Sequence, residues 1–357
     1  MGTKELYRME RGTGATDELL LYMKCFEKNG TLRPFENLVW LQQQNILKTS
    51  MINYAYDKYD GIAAIYTALP SRFIMLHNKV LAMQSLDTLT DSDHRGKGLF
   101  TKLALSLDEK AEQEGYNFVY GFPNANSAPG YFNKLGWNSF GQLPFLIKPL
   151  KLEYFLRKIF RKKNDNNSEE SIIKAPAADQ IVIDEQNAIK KIVLFSEEYD
   201  AFWVMVSYTL LLVTDRNAEY MNWRFVTKPG EFYYRYGFYR QNKLVAVIIF
   251  TLKIKHDGII GYIMELLFLP GNERAASKLL KFAKKFMRSQ KTDVILSWCF
   301  PHSFNFKIYR TEGFFKLLEK LRPVKLFFGV KAFRKDIEPT INNLNNWYIS
   351  YSDSDTV

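Results

Sequence analysis

The sequence predicts a mixed α/β fold made of two tandem copies of one unit, each a twisted, mostly antiparallel sheet flanked by helices. Three observations predict it. Strand-like and amphipathic helical runs alternate along both halves of a 357-residue chain, which is too long for one ordinary core. Residues 161–180, RKKNDNNSEESIIKAPAADQ, are polar and aperiodic, and read as a linker between halves of similar size. Landmarks also recur in order: Arg95, Phe122-Pro123 and Gly136-Trp137 in the first half, Arg274, Phe300-Pro301 and Gly313-Phe314 in the second. Arg to Pro spans 28 and 27 residues and Pro to Gly spans 13 and 12, a spacing that implies duplication. The expected partition is a first domain over 1–147, a basic segment and linker over 148–184, a degenerate second domain over 185–335 and a tail over 336–357.

In the first half, TDELLLYMKCF and PFENLVWLQQQ have helical spacing, with Thr16 able to cap the first and Pro34 suited to the first turn of the second. GIAAIYTAL and KVLAMQSLDTL read as strands. A helix then carries Phe100, Leu103, Ala104, Leu107 and Ala111 at steps of three and four, and Gly115 closes it. YNFVYGF is the next strand. The second half repeats the plan. KLVAVIIFTL, IIGYIMELLFL and DVILSWCF are strands, and Ala276, Leu279, Leu280, Ala283, Phe286 and Met287 line a helix between the last two.

Apolar residues make up 47% of the chain, yet the longest apolar stretch, FWVMVSYTLLLV, is too short to span a bilayer. The N-terminal MGTKELYRMERGTG has no signal-peptide core, and Cys25 and Cys299 give no disulfide framework. These features place the chain in the cytoplasm. The formal charge is +11, and residues 148–163 hold seven cations against Glu153 alone. Leu152, Phe155, Leu156 and Ile159 fall there at helical spacing, a pattern suited to weak contact with an anionic membrane surface, which would make the protein peripheral to the inner membrane surface. A solvated segment beside a linker is the alternative. No nucleic-acid recognition motif accompanies the charge. The four histidines, His77, His94, His256 and His302, show no metal-ligand spacing, and no metal is expected.

The sharpest local signal is HRGKGLFTKLA, His94–Ala104. Glycines at the mouth of a helix let an anion reach unpaired backbone N–H groups at the positive end of the dipole, and Arg95 and Lys97 add charge. Arg95-Gly96-Lys97-Gly98-Leu99-Phe100 therefore reads as a pyrophosphate cradle. It is neither a Walker loop nor a dinucleotide fingerprint.

This stretch, TDSDHRGKGLFTKLA, resembles the acetyl-CoA pyrophosphate loop of the GNAT N-acetyltransferase superfamily, Q/R-x-x-G-x-G/A, and GYFNKLGW resembles that family's LYEKLGF segment. The resemblance covers about residues 50–145 and is weaker over 185–330. GFPNANSAPGYFNKLGW looks like a bacterial branch found with surface-polysaccharide genes. The resemblance implies acetyl-CoA as cosubstrate, held by Leu89, Thr90, Arg95, Gly96, Lys97, Gly98, Leu99, Phe100 and Asn126, with no metal, and a small-molecule amine as acceptor, an amino sugar among the candidates. A different acyl-CoA or a peptide-like acceptor, and a non-catalytic CoA- or partner-binding module, are the alternatives.

The chain departs from the family pattern in places. Asp93 stands at the first loop position, Phe132 stands where the family has tyrosine with Tyr131 beside it, and Ala125 stands at the asparagine position between Asn124 and Asn126. Tyr131 is the first candidate proton donor to the leaving thiolate and Tyr120 the second, while Asp87 can relay a proton from the amine through water. An oxyanion donor is expected in the strand near Leu86–Thr90. His94 can reach a phosphate. In the second copy, alignment on Arg274 puts Ala275 and Ser277 at the glycine positions, so cofactor binding is assigned to the first. Trp223, Arg224, His302 and Tyr309 are candidate acceptor-site residues.

Overall fold

Local sequence sets where each strand and helix begins. In the computed structural model, which describes residues 7–151, 171–255, 257–319, 322 and 324–354, Thr16–Lys28 is helix α1 and Phe35–Gln42 is α2, behind Pro34. The residue preceding α1 is Ala15, so Thr16 lies inside the helix and does not cap it. Glu18 folds back instead and takes the Thr13 and Gly14 N–H groups at 2.8 and 2.9 Å.

The chain divides into two compact units. One comprises Met1–Gln142, Lys228–Gly230 and Val324–Trp347; the other Leu143–Thr227, Glu231–Pro323 and Tyr348–Val357. This is not the sequential partition expected from sequence, because each sheet contains a strand from the other half of the chain.

In the first unit, β1 (Arg8–Gly12), β2 (Met51–Tyr56), β3 (Ile62–Met75) and β4 (Asn78–Thr90) are antiparallel neighbours, and β5 (Tyr116–Gly121) runs parallel to β4. Helix α3 (Leu99–Gln113) makes the crossover from β4 to β5. Beyond β5 the sheet continues with the late strand Phe327–Ala332 and only then β6 (Asn138–Gln142). Leu103, Ala104, Leu107 and Ala111 of α3 pack on Met51, Ala64, Met83 and Val119 on one face. Leu19, Tyr22, Phe26 and Leu38 of α1 and α2 pack on Ile52, Tyr54 and Ile65 on the other. Full burial of each large apolar side chain contributes about 1.5–3 kcal/mol, so loss of the α3 stripe alone would unfold a marginally stable unit.

The second unit repeats this plan. β7 (Phe145–Pro149) and β8 (Ser171–Ile172) are followed by the hairpin β9 (Gln180–Asp184) and β10 (Asn187–Lys191). FWVMVSYTLLLV divides between α4 (Glu197–Ser207) and β11 (Leu212–Thr214), and α5 (Ala218–Phe225) follows. β12 (Tyr234–Arg240), β13 (Lys243–Lys255) and β14 (Gly258–Phe268) are antiparallel, and β15 (Val294–Trp298) is parallel to β14 after helix α6 (Glu273–Ser289). β7 stands between β15 and β16 (Phe315–Lys316), which mirrors the place of the late strand, β17, in the first sheet.

The structure alters three further expectations. Lys148 lies in β7, and Lys151 pairs with Asp293 at 3.1 Å. The rest of the basic segment, 152–163, lies outside the described residues. The second part of the expected linker runs along the second sheet: Ser171–Ile172 pairs with β13, and Tyr234 and Tyr236 bond the backbone at Ala175 and Ala178. The expected tail holds a short helix, α7 (Glu338–Ile341), and buries Trp347, Tyr348, Ile349 and Tyr351. Among the described residues no helix is long and apolar enough to cross a membrane.

Candidate active site in the first copy

β4 pairs with β5 only from Leu81 to Ser85, whose partner is Gly121. The β3–β4 register then slips by one residue between Tyr66 and Ala68, a bulge at Leu86-Asp87. Past it, Thr88, Leu89 and Thr90 keep their β3 partners, but among the described residues no strand pairs with their other edge. The two parallel strands thus fork at Ser85, and a row of backbone donors and acceptors opens there. Leu89 sends its side chain into the α1–α2 cluster, so backbone is what it offers to a ligand.

The loop after β4 leads into the mouth of α3. Asp91, 1% exposed, anchors it: the carboxylate takes the Lys28 ammonium at 2.7 Å, Asn29 Nδ2 at 3.2 Å and the Asp93 N–H at 3.0 Å. Burial works against ionisation, yet these partners hold the carboxyl down at about 2. Gly96 and Gly98 both have positive φ, 77° and 73°, and Gly98 is the residue at the helix mouth. A Cβ on either would meet nothing within 4 Å. Arg95 and Lys97 are exposed; Arg95 reaches the Thr90 carbonyl and Lys97 the Asp93 carbonyl, each at a long 3.5 Å. Open glycines, two exposed cations and free first-turn N–H groups fit a diphosphate. His94 does not join them: its ring bonds Tyr7 Oη at 3.0 Å and faces Asp57 at 3.6 Å. Leu99 is buried, and Phe100 packs edge-on against Tyr131.

Tyr131, not Phe132, reaches the fork. A π-turn over Gly130–Lys134 absorbs the extra residue between the tyrosine and Gly136. Tyr131 is buried between Phe100 and Trp137, with ring centroids at 5.2 and 4.7 Å, and its hydroxyl shares a 2.8 Å hydrogen bond with Ser85. Burial raises its pKa, with the hydroxyls of Ser85 and Thr88 opposing, so the phenol stays protonated. Phe132 packs instead beside Phe327.

Tyr120 is not brought to Tyr131. It lies in an aromatic cluster with Phe73, Phe118 and Trp347, whereas Tyr131 belongs to the cluster under α3. Asp87 sits at the bulge on the α1–α2 side. Arg33 clasps it with Nη2 at 2.6 Å and Nε at 2.9 Å, and Tyr22 donates to it at 3.0 Å. Sequence reasoning missed Arg33 and Tyr22, which neither motif nor periodicity marks. Asn126 is exposed on a turn whose backbone N–H groups are taken by Asn124 Oδ1.

Among the described residues the second copy has a fork but no counterpart of the Gly96/Gly98 pair. Only four residues, 269–272, separate β14 from α6, against eight, 91–98, between β4 and α3. The buried stripes of the two helices align Leu103 with Leu279 and Ala104 with Leu280, which puts Arg274, not Ser277, opposite Gly98. The sequence alignment on Arg274 was therefore out of register. Ser277 instead donates to Glu312 at 2.5 Å. β14 carries the same bulge, between its partners Ile249 and Phe250. Ser352 donates to the Met264 carbonyl there, at 3.2 Å, and Glu265 gathers Arg216, Tyr348, Ser350 and Ser352 within 3.0 Å. The segment 348–354 thus occupies that open edge.

The candidate acceptor residues are dispersed within this unit. Arg224 is buried and bonds the Ser352 and Ser354 carbonyls and Tyr233, and Trp223 packs beside Tyr220, so the pair does not present a surface to a sugar or phosphate. Tyr309 is buried at 2% exposure, and exposed His302 stacks on Phe300. Among the described residues no cluster of three metal-ligating side chains occurs.

Comparison with known proteins agrees with this geometry. Residues 17–140 match the family model described as an acetyltransferase (GNAT) domain. A GCN5-related N-acetyltransferase from Anabaena variabilis superposes with a TM-score of 0.60 at 13% identity, over 90% of this chain and 72% of that one. The fold is the GNAT fold. An Enterococcus faecalis protein described as a probable N-acyltransferase gives a TM-score of 0.60 at 12% identity, over 91% and 72%. Saccharomyces cerevisiae N-myristoyltransferase with bound myristoyl-CoA gives 0.59 at 11%, over 94% and 80%. No curated protein matches the sequence. The GNAT likeness spans both copies in structure, while the family model stops within the first.

Proposed function

We propose that this protein is an acyl-CoA-dependent N-acyltransferase, with acetyl-CoA as donor and the amine of a small molecule, an amino sugar among the candidates, as acceptor. The observation that carries the reading is the fork at Ser85: an open backbone edge, the Tyr131 hydroxyl and the glycine cradle belong to consecutive parts of one copy. The acyl-CoA supplies an activated thioester carbonyl. Gly96, Gly98 and the first turn of α3 hold its diphosphate, Arg95 and Lys97 neutralise it, and a backbone N–H of Leu86–Thr90 steadies the developing oxyanion.

Tyr131 gives the departing sulfur a hydrogen bond or a proton. A thiol pKa of about 8.5 makes this helpful and not obligatory. On the other side of β4, Asp87 draws the acceptor's proton through water, with Arg33 and Tyr22 fixing its orientation. The protein is placed in the cytoplasm.

The test is release of free thiol from acetyl-, butyryl- and myristoyl-CoA with glucosamine, spermidine and a glycine-led peptide as acceptors. Amine-dependent release from acetyl-CoA supports the reading. Turnover confined to myristoyl-CoA or to the peptide transfers it to the alternative acyltransferase, and tight CoA binding without turnover leaves a binding module.

A further inference from the structure

Resting on that reading, we propose that Ser85 is the positioning residue of the leaving-group step: its hydroxyl donates to the Tyr131 oxygen and so aims the tyrosine proton into the fork. Three observations lead there. Ser85 is the last residue of β4 paired to β5, so its side chain stands where the strands part. It and Tyr131 are both buried, at 7% and 3% exposure, and their hydroxyls lie 2.8 Å apart. Opposite Ser85 is Gly121, which leaves the rung without a second side chain.

The second copy shows what changes when this is lost. Its last parallel rung is Ile263 with Ser297, so an apolar side chain stands at the β4-type position. Its tyrosine, Tyr309, interacts with a serine of the other strand. The copy with the glycine cradle is also the copy with serine on the splayed strand.

A shared hydrogen bond has two senses. If Tyr131 donates to Ser85, the phenolic proton is occupied. If Ser85 donates, as the Thr88 and Tyr66 hydroxyls beside it can, the phenolic proton can turn to the sulfur. Once the amine nitrogen has bonded to the acyl carbon and the carbon–sulfur bond breaks, the sulfur takes the Tyr131 proton, and the phenolate that remains accepts from Ser85. Tyr131 then regains a proton from water, and water has received the one lost by the amine. Ser85 itself loses no proton overall.

The experiment compares Ser85→Ala, Ser85→Thr, Tyr131→Phe and Ser85→Ala/Tyr131→Phe with acetyl-CoA and the accepted amine. Ser85→Ala should lower kcat about tenfold while leaving the acetyl-CoA Kd unchanged. Ser85→Thr should restore it. The double variant should be no slower than Tyr131→Phe, because the two hydroxyls act as one unit. A wild-type kcat in Ser85→Ala, or losses that multiply in the double variant, would overturn the proposal. A wild-type protein without amine-dependent thiol release would retract the acyltransferase reading instead. The isotope-labelled Cζ resonance of Tyr131 then decides the pair: it should move in Ser85→Ala and return in Ser85→Thr, and an unmoved resonance refutes the hydrogen bond.

Discussion

At the residue scale, small side chains and two buried carboxylates, Asp87 and Asp91, shape the site. Asp91 holds the loop through Lys28, and its depressed pKa makes a stability prediction. A carboxyl lowered to about 2 in the folded protein contributes stability above its ordinary pKa near 3.9 and loses it as pH falls through about 2. Lys28 is 60% exposed, so solvent screens the pair. Asp91→Asn should cost about 1–2 kcal/mol at pH 7 and almost nothing near pH 2, read by urea unfolding at both values. An equal cost at both would assign the effect to neutral hydrogen bonds. The glycines and cations of this loop were legible in sequence because anion binding at a helix mouth needs those residue types. Tyr131 was legible only as a neighbour of the expected position. The π-turn that advances it leaves no mark on periodicity, and Arg33 reaches Asp87 from a loop 54 residues earlier.

At the element scale, helices and central strands follow from spacing: α3 and α6 start and stop close to where their apolar stripes do. Strand partners do not, because alternation names the face of a strand and says nothing of its neighbour. Hence β7 and β17 could be read as strands or loops without any sign that each joins the other half's sheet. The ion pair between Lys331 of β17 and Asp108 of α3, 2.8 Å, ties that late strand into the first unit. Burial raises the Asp108 pKa and Lys331 opposes it. Lys331→Met should therefore destabilise by about 2 kcal/mol at pH 7, since it leaves a buried carboxylate unpaired. The raised folded pKa means that stability falls as pH rises, so the loss should shrink as pH is lowered and Asp108 takes up a proton. Adding Asp108→Leu should recover most of it. A loss independent of pH, with no recovery, would mean that the lysine stem, not its charge, does the packing.

At the scale of the whole molecule, duplication was legible through Pro123 and Pro301, Gly136 and Gly313, which sit at equivalent places in both copies. Arg95 and Arg274 do not, because the second copy shortens the loop before its helix. That shortening, with the 348–354 segment on the open edge of β14, sets the second copy apart from the first, whose loop carries Gly96 and Gly98. The most direct measurement is the calorimetric stoichiometry of acetyl-CoA on the wild-type chain and on folded Gly98→Val and Arg274→Ala variants. One cofactor per chain is expected, weakened at least tenfold, about 1.4 kcal/mol, by Gly98→Val and unchanged by Arg274→Ala. Two cofactors per chain, or loss of binding in Arg274→Ala with Gly98→Val silent, would contradict the assignment of the cofactor to the first copy.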